Sequence, residues 1–230
     1  MTQLFFSDYE DASGSGRPLV IFGAGGLGRE VLLLLRQLNE ARPTWDVRGF
    51  YDDQAPATPT VAGLPYLGTC ADLNATAEPL AVAVAVGGPA GRAAVVARLT
   101  SPHLAFPVIV HPGVALRPYQ NITLGAGCII QQDVKLMTDL TLGRFVFVNV
   151  GSIVGHDAVL EDFCSLMAHV DVGGGAHFET GAYLGTKATV INGVRVGAHS
   201  ILGAGAVAVR DIPARTTAVG VPAAVIKTHA

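Results

Sequence analysis

Residues 124–148 read LGAGCIIQQDVKLMTDLTLGRFVFV, in which the large apolar residues Leu124, Ile130, Leu136, Leu142 and Val148 stand six apart. The step continues without a slip through Val154, Leu160, Leu166, Val172, Phe178, Leu184, Val190, Val196 and Leu202. Four places after each of them comes a small or aliphatic residue, from Cys128, Val134 and Leu140 to Val194, Ser200 and Ala206. Neither an α-helix of period 3.6 nor an alternating strand keeps one apolar position every six residues over such a span. A hexapeptide solenoid does, because each hexad supplies a short strand and a corner, and three hexads close one coil. The large residue then fills the interior of a prism and the small one fits a tight corner. Glycine follows the large residue at Gly125, Gly143, Gly155, Gly173, Gly185, Gly197 and Gly203, where a missing Cβ eases turning and close approach of neighbouring backbones. A β-sandwich, with turn signals every 8–12 residues or so, would not hold the step. The second half of the chain is therefore expected to be an all-β parallel β-helix. Such a solenoid needs capped ends. His111-Pro112-Gly113 and Arg117-Pro118 introduce the first coil, and Asp211-Ile212-Pro213 breaks the repeat.

Upstream the pattern changes to α/β. The apolar run Leu19–Phe22 leads into Gly23-Ala24-Gly25-Gly26-Leu27-Gly28, and Arg29–Leu38 reads as a helix with an apolar stripe. Strand, glycine loop and helix present backbone N–H groups and a helix amino terminus to a phosphate. A second strand, Asp46–Tyr51, ends at Asp52-Asp53, about where an acidic residue meets a ribose in such folds. A third, Leu80–Val86, ends at Gly87-Gly88; a helix Gly91–Leu99 follows, and a short strand around Phe106–Val110 leads into the solenoid. Only three or four strands precede the repeat, about half of a dinucleotide-binding domain. That size favours a nucleotide-sugar site over a nicotinamide dinucleotide or a purely structural glycine turn. The expected organisation is a tail at 1–17, a half-Rossmann-like βαβ domain at 18–107, a β-helix at 108–213 and a carboxy-terminal cap at 214–230.

Of the 230 residues half are hydrophobic and 14% charged, which allows a sizeable core. The longest apolar runs fall well short of the ~20 residues that cross a bilayer, and Asp8, Glu10 and Asp11 contradict a basic secretory start. The tail is read as flexible. Cys70, Cys128 and Cys164 have neither disulfide-framework nor metal-ligand spacing, which fits a cytoplasmic setting. A formal net charge of −3 makes nucleic acid an improbable partner.

A chemical case for His156 stands beside the ordinary reading of it as one of several solvent-facing histidines on the coils. His156 comes two places after the inward Val154, on a strand position expected to point outward, and an unperturbed imidazole titrates near neutrality. That suits a general base for an amine or hydroxyl attacking a thioester, with Asp157 orienting the ring. His169, His177 and His199 keep the ordinary reading of solvent-facing coil residues.

The segment Asn149-Val-Gly-Ser-Ile-Val-Gly-His156-Asp157, the start Gly23-Ala-Gly-Gly-Leu-Gly-Arg-Glu-Val31, the pair Asp52-Asp53 and the ending Val219-Gly-Val-Pro-Ala223 resemble one known family. It comprises the sugar O-acyltransferases and nucleotide-amino-sugar N-acetyltransferases of bacterial surface-glycan synthesis, including sialic acid O-acetyltransferases. The resemblance runs from Leu19 to Ile226 and implies a left-handed β-helix, a homotrimer and acetyl-CoA as cosubstrate with no metal. It implies His156 as base and Asp157 as its modulator, Gly25, Gly26, Leu27, Asp52, Asp53, Gly88 and Asn149 at the acceptor, and Ser165, Gly174 and Thr186 at acetyl-CoA. The Gly174 N–H would receive the oxyanion. Leu27 and Ser165 depart from the family, which often has histidine at both places. The implied reaction is N-acetylation of a nucleotide-linked amino-deoxy-sugar in surface-glycan synthesis. O-acetylation of a sialic acid hydroxyl and a non-catalytic nucleotide-sensing scaffold are the alternatives.

Overall fold

The computed structural model describes residues 16–229. Residues 1–15, where most of the tail read as flexible falls, lie outside the described residues. The amino-terminal domain is a six-stranded sheet in the order β3-β4-β2-β1-β5-β6. Its strands are β1 (Arg17–Phe22), β2 (Trp45–Tyr51), β3 (Thr60–Val61), β4 (Leu64–Gly68), β5 (Leu80–Val84) and β6 (Leu104–Ala105). Helices α1 (Gly26–Ala41), α2 (Cys70–Asn74) and α3 (Pro89–Arg98) cover it. All pairs are parallel except the β3–β4 hairpin. From β1 the chain moves outward on one side to β2 and β4, then crosses to β5 on the other side. The carboxyl ends of β1 and β5 thus border a topological switch point, the crevice where open α/β sheets take ligands.

Six strands correct the three or four read from sequence. The missed hairpin is small, and its turn is Ala62-Gly63 with φ of +48° and +85°, a mirror-image turn without the usual Asn-Gly signal. The strand expected around Phe106–Val110 shrinks to Ile109–Val110, which pairs with Ile129–Ile130 and so belongs to the solenoid.

The rest of the chain winds into a left-handed β-helix of three flat faces. Face I carries Ile122–Leu124, Leu140–Leu142, Val159–Leu160, His177–Phe178 and Arg195–Val196. Face II runs from Ile109–Val110 through Ile129–Ile130, Phe147–Val148, Ser165–Leu166, Tyr183–Leu184 and Ile201–Leu202 to Thr216–Val219, and is closed by the antiparallel strand Ala224–Thr228. Face III carries Lys135–Leu136, Ile153–Val154, Asp171–Val172, Thr189–Val190 and Val207–Ala208. Neighbouring rungs pair in parallel with partners eighteen residues apart, as Phe147 with Ser165 and Ile153 with Asp171. The large residues of the hexads, such as Val148, Val154, Leu160 and Leu166, are wholly buried along the axis, as are the small corner residues Ala158, Cys164 and Ala176.

The glycines after the large residues divide the labour differently from the sequence reading. A Cβ on Gly155 would lie 2.7 Å from the Gly174 nitrogen of the next coil, and one on Gly173 would lie 2.5 Å from Asn192 N. Close approach, rather than turning, is what they provide. The turn is made two places later by left-handed residues, many of them not glycine: Asp139, Phe145, Asp157, Phe163 and His169 have φ near +60°.

The amino-terminal domain sits on face II. Ile129 and Phe147 of that face bury themselves with Leu19, Ile21, Val31 and Leu35, while Phe145 at the I/II edge joins Val20, Phe22 and Val84. Face II and its flank are therefore covered, leaving faces I and III bare in the single chain.

Candidate active site

His156 and Asp157 stand at the III/I edge, between strands Ile153–Val154 and Val159–Leu160, and not on a strand as expected. Edges are where the backbone turns, so a side chain there clears both neighbouring faces. Asp157 adopts φ +58° and its carboxylate reaches back to Nδ1 of His156 at 2.7 Å. A carboxylate can only accept, so Nδ1 carries a proton and in the neutral ring Nε2 presents its lone pair. The two side chains are 61% and 65% exposed, open to a partner molecule. Thr138, His156, Gly174 and Asn192 stack up this edge, tied by Asp157 N–H to Thr138 O (3.1 Å), Gly175 N–H to His156 O (2.7 Å) and Gly193 N–H to Gly174 O (2.9 Å).

The imidazole lies over Gly174. A Cβ at that position would collide with Nε2, and would come within 2.5 Å of Cε1. The Gly174 N–H has no acceptor among the described residues, so a donor and the Nε2 acceptor stand side by side on one edge. An attacking amine needs the acceptor and a developing oxyanion needs the donor. One coil away, Asp139 was missed in the sequence. Hydrogen bonds from Asn121 and Thr138 hold its carboxyl below the usual range, helped by the neighbouring His156. Only its eighteen-residue spacing from Asp157 could have marked it.

Asn149 and Thr186 lie at the II/III edge, a different edge of the prism from His156. Within one chain the packed interior separates them from the base. Asn149 Oδ1 accepts from Val150 N–H at 2.7 Å, and Thr186 is exposed. Ser165 overturns its expected place at acetyl-CoA. It is fully buried on face II beneath the amino-terminal domain, where its hydroxyl donates to Gly87 O (3.0 Å) and accepts from Arg92 Nη2 (2.8 Å). Six-residue spacing identifies a face, but not what covers it.

In the amino-terminal domain Gly23, Gly25 and Gly28 take separate roles. Gly23 has φ +114°, and a Cβ on Gly28 would strike the Gly23 carbonyl, so both are fixed by the tight strand-to-helix passage. A side chain at Gly25 would meet no atom of the described residues within 4 Å, so packing does not demand glycine there and the space beside the loop is open. Gly26 and Leu27 open α1 with no side-chain cap, which leaves first-turn N–H groups for an anion. Leu27 stands across from Gly87, whose Cβ would lie 3.6 Å from Leu27 Cδ2, so the two loops flank one crevice with Gly88 capping α3.

The aspartate pair splits. Asp52 accepts from Ala24 N–H (2.8 Å) and Gln54 N–H, which ties it to the glycine loop. Asp53 instead pairs with Arg98 (2.6 Å) and the Cys70 N–H, contacts that hold its carboxyl below the usual range. This structural pairing corrects the expectation that both acids meet the acceptor. Cys128 and Cys164 point into the prism, and burial pushes both thiols up to about 12, so neither is a nucleophile near neutrality. Among the described residues no group of three or more His, Cys, Asp or Glu could hold a metal ion, and no helix is long and apolar enough to cross a membrane.

Comparison with known proteins gives this geometry a family. Residues 18–99 match the PglD N-terminal domain. The GDP-perosamine N-acetyltransferase of Escherichia coli O157:H7 is 30% identical over 174 residues, covering 76% of this chain and 78% of that protein. PerB from Caulobacter crescentus, whose crystal structure holds CoA and GDP-perosamine, superposes with a TM-score of 0.80 at 30% identity, over 91% of this chain and 97% of that one. WeeI from Acinetobacter baumannii AYE gives 0.74 at 26% identity, over 91% and 100%. With a relative at this identity along three quarters of both sequences and the same two-part fold, the chain belongs to the acetyltransferase family that includes the GDP-perosamine N-acetyltransferases.

Proposed function

We propose that the protein transfers the acetyl group of acetyl-CoA to the amino group of a nucleotide-linked amino-deoxy-sugar. The observation that carries this reading is the His156–Asp157 pair, whose exposed Nε2 acceptor stands beside the Gly174 N–H. Nε2 takes the proton of the sugar amine as its nitrogen bonds to the thioester carbon. The carbonyl oxygen becomes an oxyanion and is met by the Gly174 N–H. Collapse breaks the carbon–sulfur bond, and the proton held by His156 passes to the departing thiolate. Asp157 keeps Nδ1 protonated and stabilises the imidazolium that forms between the two steps.

The acceptor's nucleotide lies in the crevice between the Gly23–Gly28 and Gly87–Gly88 loops. That crevice belongs to the domain on face II, while His156 occupies the edge opposite that face. One chain therefore cannot present its own bound sugar to its own base. A trimer of parallel prisms resolves this by setting the III/I edge of one copy against the II/III edge and crevice of the next, which brings Asn149 and Thr186 to the partner's imidazole. The apolar residues Val150, Ile153, Ile191 and Val209, exposed on face III and its two edges, fit burial in that contact.

The test is free-thiol release from acetyl-CoA with a panel of nucleotide-linked amino sugars and sialic acids. Release is expected with amino sugars, and silence across the panel would sink the proposal. His156→Ala should lower kcat by about 10²–10⁴-fold while the fold persists. Light scattering should give three times the chain mass, and an active monomer would refute the assembly in trans.

A further inference from the structure

Arg92 is 2% exposed and, among the described residues, is the largest of the fully buried side chains and has no carboxylate for a partner. From α3 it crosses the boundary between the two halves of the molecule. Nε donates to Phe145 O (2.9 Å), and Nη2 donates to Phe163 O (2.8 Å), Cys164 O (3.1 Å) and the Ser165 hydroxyl (2.8 Å), all on the coil. Nη1 turns back to its own domain and donates to Val86 O (2.7 Å) and Gly87 O (3.1 Å). The guanidinium's five N–H groups are thus spent on backbone carbonyls and one hydroxyl. Its charge is neutralised by oriented dipoles. The Ser165 hydroxyl closes the ring by donating to Gly87 O (3.0 Å).

The two carbonyls in its own domain have a geometric consequence. In a trans peptide the C=O and N–H point in opposite directions. Anchoring Val86 O and Gly87 O on the guanidinium therefore turns the N–H groups of Gly87 and Gly88 away from the coil. Neither amide has an acceptor among the described residues. Two adjacent amides turned the same way form an anion-binding concavity, and this one lies across from Leu27 at the start of α1. On the coil side the bonds reach two successive rungs, at Phe145 and Phe163, whose rings stack with centroids 5.4 Å apart. The loop is thereby referenced to a rigid surface.

We propose that Arg92, with Ser165 as its partner, is a positioning residue for the nucleotide: it fixes the Gly87–Gly88 amides at one orientation on the coil so that they receive a phosphate. The inference rests on the nucleotide-sugar reading above. It reassigns Ser165 from the acetyl-CoA side of the reaction to the nucleotide side, which makes the two substrates separable readouts.

The experiment is isothermal titration of the full-length protein with the diphosphates of guanosine, uridine and thymidine, and separately with coenzyme A. Ser165→Ala removes one acceptor of Arg92 and one donor to Gly87; Arg92→Lys keeps the charge but loses the planar fork. For the nucleoside diphosphate that the wild type binds, Kd should rise about two- to tenfold in Ser165→Ala and at least tenfold in Arg92→Lys. Kd for coenzyme A should stay within about twofold in both, because the hydrogen bonds these substitutions remove lie beneath the other domain. Unchanged nucleotide affinity in either folded variant overturns the proposal, and so does a rise in the coenzyme A Kd instead. Should Arg92→Lys fail to fold, Ser165→Ala decides, since deleting one hydroxyl leaves the core filled. A wild type that binds none of the three diphosphates would defeat the nucleotide-sugar reading itself, whereas wild-type binding with insensitive variants defeats only the role of Arg92.

Discussion

Gly174 couples backbone to chemistry within a single residue. Its φ lies outside the left-handed region, so alanine is tolerated by the main chain, yet an added methyl would occupy the place of the His156 ring. That ring is exposed and can swing outward at little cost. Gly174→Ala should therefore leave the melting temperature within about 2 °C and lower kcat by about 10²-fold or more, as the base is displaced; circular dichroism and thiol release measure the two. A variant with full activity would show that the ring is not held over Gly174 during the reaction. That His156, Asp157 and Gly174 come together was legible in the sequence, because His156 and Asp157 are neighbours and three hexads, eighteen residues, return the coil to the same edge at Gly174. Ser165 and Asp53 were not. Their neighbours, Arg92 and Arg98, come from α3, and no local spacing predicts which outward side chain another domain will cover.

Among the elements, the strands of face I show what the repeat leaves open. The hexad rule dictates the inward residue of each rung and is silent about the outward one. Here the outward positions build a charged ladder: Glu161 accepts from His177 Nε2 (2.9 Å) and from the Thr180 N–H and hydroxyl, and Arg195 reaches both His177 Nδ1 (3.2 Å) and Glu179 (3.1 Å). The bond from His177, then those from Thr180, hold the Glu161 carboxyl below its ordinary 4.5 against the opposing effect of burial. A depressed carboxylate stabilises the fold above its unfolded-state value and loses that contribution as pH falls through the lower folded value. Thermal melts of wild type and Glu161→Gln should thus differ most above the ordinary carboxylate range and converge as the pH falls below it. A difference that grows on acidification would contradict the ladder. The hairpin β3–β4 escaped the sequence reading for the opposite reason: its two-residue first strand and Ala-Gly turn carry too little pattern to separate from a loop.

On the scale of the whole molecule, one buried cation crosses the apolar seam between the two halves. Burial lowers the Arg92 guanidinium to about 10, so it remains charged at neutral pH. Replacing it with methionine strands the carbonyls of Val86, Phe145 and Phe163 in a dry interface, at a cost of about 3 kcal/mol or more. Scanning calorimetry should show one transition for the wild type and two for Arg92→Met, the domain on face II melting first; a single unshifted transition would show that the clamp does not couple the domains. All three cysteines are buried, and a native sample should leave them unreactive toward a disulfide reagent near neutrality, with three equivalents appearing on unfolding. Fast native labelling of Cys164 with loss of activity would reopen the question of a thiol intermediate. An α/β domain and a solenoid could be read from the primary structure because periodicity and the glycine loop are local signals. The seating of one domain on the other could not, since it depends on which face of three the helix α3 approaches.

The register of the coil imposes two clocks on the same polypeptide. Interior packing repeats with every hexad, whereas azimuth around the prism returns only after three. A deletion of six residues between the nucleotide crevice and the base would leave a filled hydrophobic column, yet would rotate His156 by a third of a revolution, away from any neighbouring copy's acceptor. A deletion of eighteen would merely remove one storey and keep the bearing. Length variation in such a chain is therefore quantised for catalysis more coarsely than for folding.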